Sequence, residues 1–219
     1  MSMVDYFYYG GMFMVPLTIC SILALAIVCE RFLYLRSAMK ETDFALGQIT
    51  ELTRQGDVDG IETFCRQNEG LLTTVFLAGV RKFRQLKDDP NLDFVKQEAS
   101  KMMEDASVLN TADLENRLPM LSTVGNVAPL FGFAGTVVGM MSAFEKIALT
   151  SNPSPQVVAN GIREALITTA TGLIIAIPVV LVYSYLTSQI DAMNTRTEET
   201  ANELIDKMTM DHIKAHHGK

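Results

Sequence analysis

Residues 118–144 read LPMLSTVGNVAPLFGFAGTVVGMMSAF, an uncharged run held between Arg117 and Glu145. At about 1.5 Å of rise per residue, a helix of this length crosses a hydrocarbon core of about 30 Å. It is too rich in glycine to be a simple lipid anchor. Gly125, Gly132, Gly135 and Gly139 place small surfaces along it, and Gly135-x-x-x-Gly139 is a small-xxx-small packing signature. Ser122, Thr123, Asn126, Thr136 and Ser142 add polar groups for which lipid has no use. Such a helix expects protein neighbours or a wetted path.

Composition sets the frame. The 219 residues are 48% hydrophobic, yet 20% are charged, and the mean hydropathy is +0.20. That mixture suits a few membrane spans joined to substantial aqueous helices. A net charge of −7, with no dense basic run, argues against nucleic acid as a partner. Cys20, Cys29 and Cys65 have the spacing of neither a disulfide framework nor a metal site, and read as small buried side chains.

Outward from the central run, Tyr6, Phe7, Tyr8 and Tyr9 form an aromatic cluster of the kind found at headgroup level. Tyr6 to Cys29 is then free of charge and is the first span, with Pro16 near its start. It lacks the basic leader and small-x-small site of a cleaved signal peptide. The last span is Ala165 to Ile190, uncharged between Glu164 and Asp191. Glu30, Arg31, Arg36 and Lys40 follow the first span, and residues 36–118 hold eleven of the eighteen Lys and Arg. The positive-inside rule therefore puts this loop in the cytoplasm.

The expected layout is a periplasmic interfacial N-terminus at 1–11 and a first span at 12–35. A cytoplasmic helical loop occupies 36–118 and the second span 119–144. A periplasmic connection at 145–162 leads to the third span at 163–190, and residues 191–219 form a cytoplasmic helix and tail.

Within the loop, Phe44, Ile49 and Leu52 predict a helix stopping at Gly56-Asp57. Asp59 is positioned to cap the next helix, which carries Ile61, Phe64 and Cys65. Leu71 to Leu86 alternates apolar and basic residues at helical spacing, and Lys87-Asp88-Asp89-Pro90 breaks it. Leu92, Val95, Ala99, Met102, Ala106 and Leu109 then recur as a short heptad seam. With only Pro119 as a turn residue, this seam predicts one long helix running from the cytoplasm into the second span. Ile190, Met193, Thr197, Leu204 and Met208 predict that the third span continues likewise as an amphipathic helix. His216 and His217 read as solvated tail residues rather than metal ligands.

No catalytic constellation is present: there is no phosphate loop, nucleophile elbow or Cys/His cluster. The chain reads as neither an enzyme nor a holder of cofactor or metal. What stands out is hydroxyl groups within spans. Thr168, Thr169 and Thr171 lie in GIREALITTATGLIIAIP (161–178), with Gly172 and Pro178 following, and Thr136 lies on the second span near Pro129. A threonine can satisfy itself on a carbonyl three or four residues back, so packing with back-bonded hydroxyls is one reading. The other is a hydrated lining for a passing ion. Intramembrane carboxylates mark proton relays, yet Glu145, Glu164 and Glu30 only bracket the span ends. A proton path would need its acid from a partner.

Three stretches carry a family resemblance: GGMFMVPLTICSILALAIVCERFLYL (10–35), APLFGFAGTVVGMMSAF (128–144) and GIREALITTATGLIIAIP (161–178) with Tyr183 after it. In these the chain resembles the MotA/TolQ/ExbB proton-channel family, closest to its ExbB and TolQ branch. The resemblance implies a homo-pentamer around two copies of a single-span ExbD- or TolR-type partner that supplies a membrane aspartate. It implies that Thr136 and Thr169 line the path beside that aspartate, and that Glu164 is the acidic residue ahead of Ala-Leu. Phe131 and Phe133 stand where the family has leucines, and Thr168 where it often has alanine. A MotA-like stator fits less well, because that branch has four spans.

The expectation is an all-α membrane protein with three transmembrane helices, the second and third continuing into long cytoplasmic helices, in a pentameric bundle in the bacterial inner membrane. Its function would be a proton-conducting motor subunit coupling proton motive force to work on the outer membrane through a TonB- or TolA-like protein. Thr136, Thr168, Thr169 and Thr171 would line the path, and Glu145 and Glu164 would form an acidic entry. Gly132, Gly135, Gly139, Gly172, Pro129 and Pro178 would serve helix packing. The alternative is a non-conducting membrane scaffold that assembles partners through long helices.

Overall fold

The computed structural model describes residues 10–68, 70–87, 89–149 and 155–217. The aromatic cluster at Tyr6–Tyr9, the first residues of the expected first span, Asp88, residues 150–154 and the last two residues lie outside the described residues. So do the side chains of His216 and His217. The described residues form six helices in order: α1 (Met14–Gln55), α2 (Val58–Gln67), α3 (Leu71–Gln85), α4 (Leu92–Glu115), α5 (Leu118–Leu149) and α6 (Pro155–His217). There is no strand among the described residues. Three of the helices, α1, α5 and α6, are long and apolar enough to cross a membrane.

The helix continuations differ from expectation. The first span, not the second, runs on unbroken: α1 continues from Met14 to Gln55, because no residue between Glu30 and Leu46 is a glycine or proline. It ends at Gly56, whose φ of +73° is the left-handed conformation that terminates a helix. The third span continues as expected, in the 63 residues of α6. The second does not. Asn116 leaves helical geometry and Arg117 adopts φ +66°, so α4 and α5 are separate helices. Pro119 falls in the first turn of α5, where a missing N–H costs nothing. Pro129 and Pro178 lie inside α5 and α6, and each deprives a carbonyl four residues back of its helical donor.

The chain divides into two compact units, one formed by Met1–Phe32 with Arg117–Leu186, the other by Leu33–Asn116 with Thr187–Lys219. In the first, Met14, Leu17, Ala128, Ile167 and Ala176 form a small core with Phe131 and Ile175 packed against it. Its outer surface is the more apolar part: Ile22, Leu25, Leu130, Phe133, Met141 and Leu181 are all exposed. Side chains of this kind turned outward expect lipid or other protein around them.

The second unit is built like a soluble domain. Ile49, Ile61, Phe76, Val80, Ala99 and Leu204 are buried in one cluster, and ion pairs ring it. Lys96 meets Asp206 at 2.6 Å, Arg196 meets Asp43 at 2.5 Å and Arg84 meets Glu62 at 2.6 Å. The Asp206 carboxylate raises the Lys96 ammonium above its ordinary range by hydrogen bonding and charge. Val95 and Ala99 occupy the inward seam of α4 as expected, but Met103 and Leu114 complete it, while Met102 and Leu109 face outward. Ile190, Met193, Thr197, Leu204 and Met208 are all buried. The cap of α2 is Asp57 rather than Asp59: its Oδ1 accepts the Gly60 N–H at 2.8 Å, and Asp59 sits in the first turn.

Candidate functional site: the hydroxyl seam of the membrane unit

The site grows out of how closely α5 and α6 approach. Gly125 faces Val179 and Val180, Gly132 faces Thr168 and Thr169, and Gly139 faces Gly161 and Ala165. One sequence number rises as the other falls, so the two helices are antiparallel. A Cβ on Gly172 would stand 2.6 Å from the Ala128 carbonyl oxygen, and one on Gly132 would stand 3.0 Å from the Thr168 carbonyl oxygen. Backbone meets backbone here, and only glycine allows it. The seam on α5 is Gly125, Ala128, Gly132, Gly135, Gly139 and Ala143, all buried. Those residues recur at steps of three and four, a small-residue heptad.

Close approach brings carbonyls of one helix within reach of hydroxyls of the other. The Gly132 carbonyl lies 3.2 Å from Thr136 Oγ1 on its own helix and 3.1 Å from Thr169 Oγ1 across the seam. The Ala165 carbonyl lies 3.1 Å from Thr169 Oγ1 on its own helix and 3.4 Å from Thr136 Oγ1 across the seam. The two hydroxyls also hydrogen-bond to each other. Each hydroxyl has one proton and more than one acceptor in range, so the direction of donation can reverse. When Thr136 and Thr169 donate to carbonyls, their lone pairs are left to accept from a water or a protonated acid. Both residues are half-buried, neither sealed nor fully open.

The other expected site residues fall differently. Thr168 is fully buried, its hydroxyl donating to the Ala165 carbonyl at 2.9 Å, with Gly135 packed against its side chain. Thr171 stands apart from the seam and donates to the Ile167 carbonyl of its own helix at 2.8 Å. Glu164 is half-buried against Gly11, while Glu145 is exposed at the far end of α5. The structure thus brings Thr136, Thr168 and Thr169 together with Gly132, Gly135, Gly139 and Gly172, and leaves Thr171 and Glu145 outside.

Sequence reasoning missed Ala128, Ala143, Gly161 and Ala165, which complete the seam, although small residues at steps of three and four were a signal for them. It also missed the ion pair of Arg117 with Glu30, at 2.5 Å, which ties the start of α5 to α1.

The chain is 32% identical to the Tol-Pal system protein TolQ of Haemophilus influenzae over 198 residues, covering 86% of this chain and 82% of that protein. It is 36% identical over 131 residues to the Tol-Pal system protein TolQ of Pseudomonas aeruginosa, covering 59% of this chain and 57% of that one. With the biopolymer transport protein ExbB of Pseudomonas putida it shares 26% identity over 192 residues, 88% of this chain and 57% of that one. The model of the MotA/TolQ/ExbB proton channel family matches residues 67–199. That match runs through all of α5 and the membrane half of α6, where the hydroxyl seam lies, and the chain belongs to the MotA/TolQ/ExbB proton channel family.

Proposed function

We propose that this chain is the channel-forming subunit of a proton-driven motor in the bacterial inner membrane, of the ExbB–ExbD or TolQ–TolR type. Five copies surround two copies of a single-span partner that carries a membrane aspartate. Proton passage turns the partner pair, and a TonB- or TolA-like protein passes the work to the outer membrane. The N-terminus and the connection between α5 and α6 face the periplasm; residues 36–118 and the C-terminal helix face the cytoplasm.

The observation that carries this reading is the Thr136–Thr169 pair, set in spans whose acids, Glu30 and Glu164, stand only at their ends. An aspartate at mid-bilayer costs about 2.5–3.5 kcal/mol on insertion scales. A half-buried hydroxyl pair with a reversible donor direction offsets part of that cost for the ionised acid, while the apolar outer faces favour the neutral acid. Alternation between these environments makes proton loading and turning one process. Each charge crossing 100 mV yields about 2.3 kcal/mol, so several protons are needed for appreciable mechanical work.

One observation favours a second reading, a scaffold that conducts nothing: every seam hydroxyl already has a carbonyl of the chain in reach. Proton flux into vesicles separates the two. Vesicles would carry the chain alone, the chain with its single-span partner, or the chain with that partner's membrane aspartate changed to asparagine. The motor requires flux in the second arm only, with native mass spectrometry giving five copies to two. Flux from the chain alone overturns the need for a partner's acid, and no flux in any arm, with the partner still bound, establishes the scaffold.

A further inference from the structure

The second unit, Leu33–Asn116 with Thr187–Lys219, holds 21 acidic and 14 basic residues, which is the whole of the chain's net charge of −7. Within it α4 and α6 run antiparallel: Lys96 pairs with Asp206, while Asn110 and Leu114 meet Met193 and Asn194 around one small cavity. A groove of about 570 Å³ lies between the two helices. Val75, Met103, Ala201 and Ile205 make its buried apolar floor, and Val108 and Ala112 an exposed apolar wall. The lining has three charged side chains, Glu104, Glu115 and Glu198, all carboxylates. None of them is ion-paired among the described residues, whereas Lys96 and Arg196 on the same helices are held by Asp206 and Asp43.

A smaller cavity of about 20 Å³ adjoins this groove, sharing Val75, Ser107, Asn194 and Thr197 with it, and has room for one water-sized group. Thr42 of α1 lines the small cavity. It is 6% exposed, and its hydroxyl has no hydrogen-bond partner among the described residues. Thr53, Thr111 and Thr197, on α1, α4 and α6, instead donate to the carbonyl four residues back. The Ser107 hydroxyl and the Asn194 amide also lack a partner among the described residues. Asn110 donates through Nδ2 to the Leu71 carbonyl, which leaves its Oδ1 to accept. Buried polar groups are ordinarily satisfied, and an alkylammonium, with three protons and no acceptor, matches such a ring of oxygens.

From Glu104 to Glu115 α4 rises about 16 Å at about 1.5 Å per residue, and Glu198 lines the groove from α6. Carboxylates spread along an apolar strip suit a cation whose charges are spaced by methylenes. A compact divalent metal would leave the apolar floor bare. We infer that this groove binds a linear polyamine. One terminal ammonium sits in the small cavity on Thr42, Ser107 and Asn194, the methylenes cover Met103, Ala201 and Ile205, and the further ammonium groups meet Glu104 and Glu198. Bound in this way, the polyamine ties α4 to α6 and relieves the repulsion between their carboxylates. The proposal needs neither conduction nor a single-span partner, so its failure leaves the motor reading untouched.

The test is equilibrium dialysis of the full chain in a neutral detergent against labelled spermine, with magnesium ion as competitor. Wild type should bind one spermine per chain at saturation, and magnesium at equal charge should displace little of it. Thr42→Val removes the hydroxyl with little change of shape and should weaken binding about tenfold, the scale of one hydrogen bond to a charged group. Glu104→Gln and Glu198→Gln, at the exposed rim, should each weaken it about threefold. Ala112→Trp, at an exposed position, should abolish binding by filling the groove, and Glu51→Gln, an exposed carboxylate outside the lining, should leave it unchanged. Full affinity in Thr42→Val or in Ala112→Trp overturns the proposal. So does complete displacement by magnesium, which marks a diffuse ion atmosphere. A wild type that binds no spermine while Ala112→Trp alters its oligomeric state overturns it as well, because another copy of the chain then covers the groove.

Discussion

Gly135 and Thr168 face each other so closely that a Cβ on the glycine would lie 2.6 Å from the threonine hydroxyl and 2.7 Å from its Cβ. Real Cβ atoms do not reach such distances, and Thr168 is fully buried with nowhere to swing. Gly135→Ala should therefore force α5 and α6 apart and destabilise the membrane unit by about 1–3 kcal/mol, the range for overpacking a filled core. Thermal unfolding in detergent would show it as a lower midpoint. Thr168→Ala in the same chain removes the hydroxyl and methyl but leaves the Cβ, so the double variant should recover part of the loss. An unchanged midpoint for Gly135→Ala would mean that the seam is looser than it stands.

Thr136→Val and Thr169→Val remove the two hydroxyls with little change in shape. The hydrogen bonds lost contribute about 0.5–1.5 kcal/mol each to stability, because carbonyls left behind keep their helical donors. Flux is a sharper readout. Stabilisation of the ionised partner acid by one hydrogen bond of this size corresponds to about tenfold in rate. Because the two hydroxyls share acceptors and bond to each other, the double variant should lose less than the product of the single losses. Full proton flux in the double variant would remove the seam from the conduction path.

How far the sequence shows these features depends on what each one needs. The spans are legible because a bilayer crossing demands long uncharged runs, and those bounded by Arg117 and Glu145, or by Glu164 and Asp191, are longer than a soluble helix sustains. The stop at Gly56 is legible because a glycine sits where the left-handed residue must be. The break at Arg117 is not, since an arginine at positive φ has no sequence signature and Pro119 alone is compatible with a continuous helix. Asp57 and Asp59 are chemically equal, and only backbone geometry decides which one caps α2. The α4 seam misleads because a strict heptad steps to Met102, whereas the helix buries Val95, Ala99 and Met103 at successive steps of four. At about 100° per residue, Thr168, Thr169 and Thr171 spread over about 160° of α6. Pattern alone cannot say which of the three meets α5, and only contact with Gly132 and Gly135 resolves it.

Arg117 offers a test of backbone against charge. Its left-handed conformation costs a residue with a Cβ about 1–2 kcal/mol. Its ion pair with Glu30 is largely exposed, which limits it to about 0–1 kcal/mol. Arg117→Ala keeps the strain and loses the pair, so it should be the less stable variant. Arg117→Gly loses the pair but relieves the strain, so it should unfold at or above the wild-type temperature. Arg117→Gly unfolding below wild type and level with Arg117→Ala would show that the Glu30 contact, rather than the backbone, governs this junction.

Cys65 gives a prediction in pH. It is buried in the soluble-like unit among Ile61, Phe76 and their neighbours, and desolvation pushes its thiol up to about 11 from an ordinary 9.0. Two pH units correspond to about a hundredfold less thiolate at pH 8, and thiolate is the reactive form. Iodoacetamide should accordingly label Cys65 at pH 8 at least a hundredfold more slowly in the folded chain than in denatured chain, as read by peptide mass spectrometry. The folded value lies above the unfolded one, so the neutral thiol contributes its full stability below about pH 9. That contribution declines as pH rises from about 9 toward 11, because the unfolded chain ionises first. Cys65→Ala cannot ionise, so its unfolding midpoint should fall less steeply than that of wild type across this window. Parallel pH profiles for the two proteins would mean that the Cys65 thiol does not titrate differently on folding.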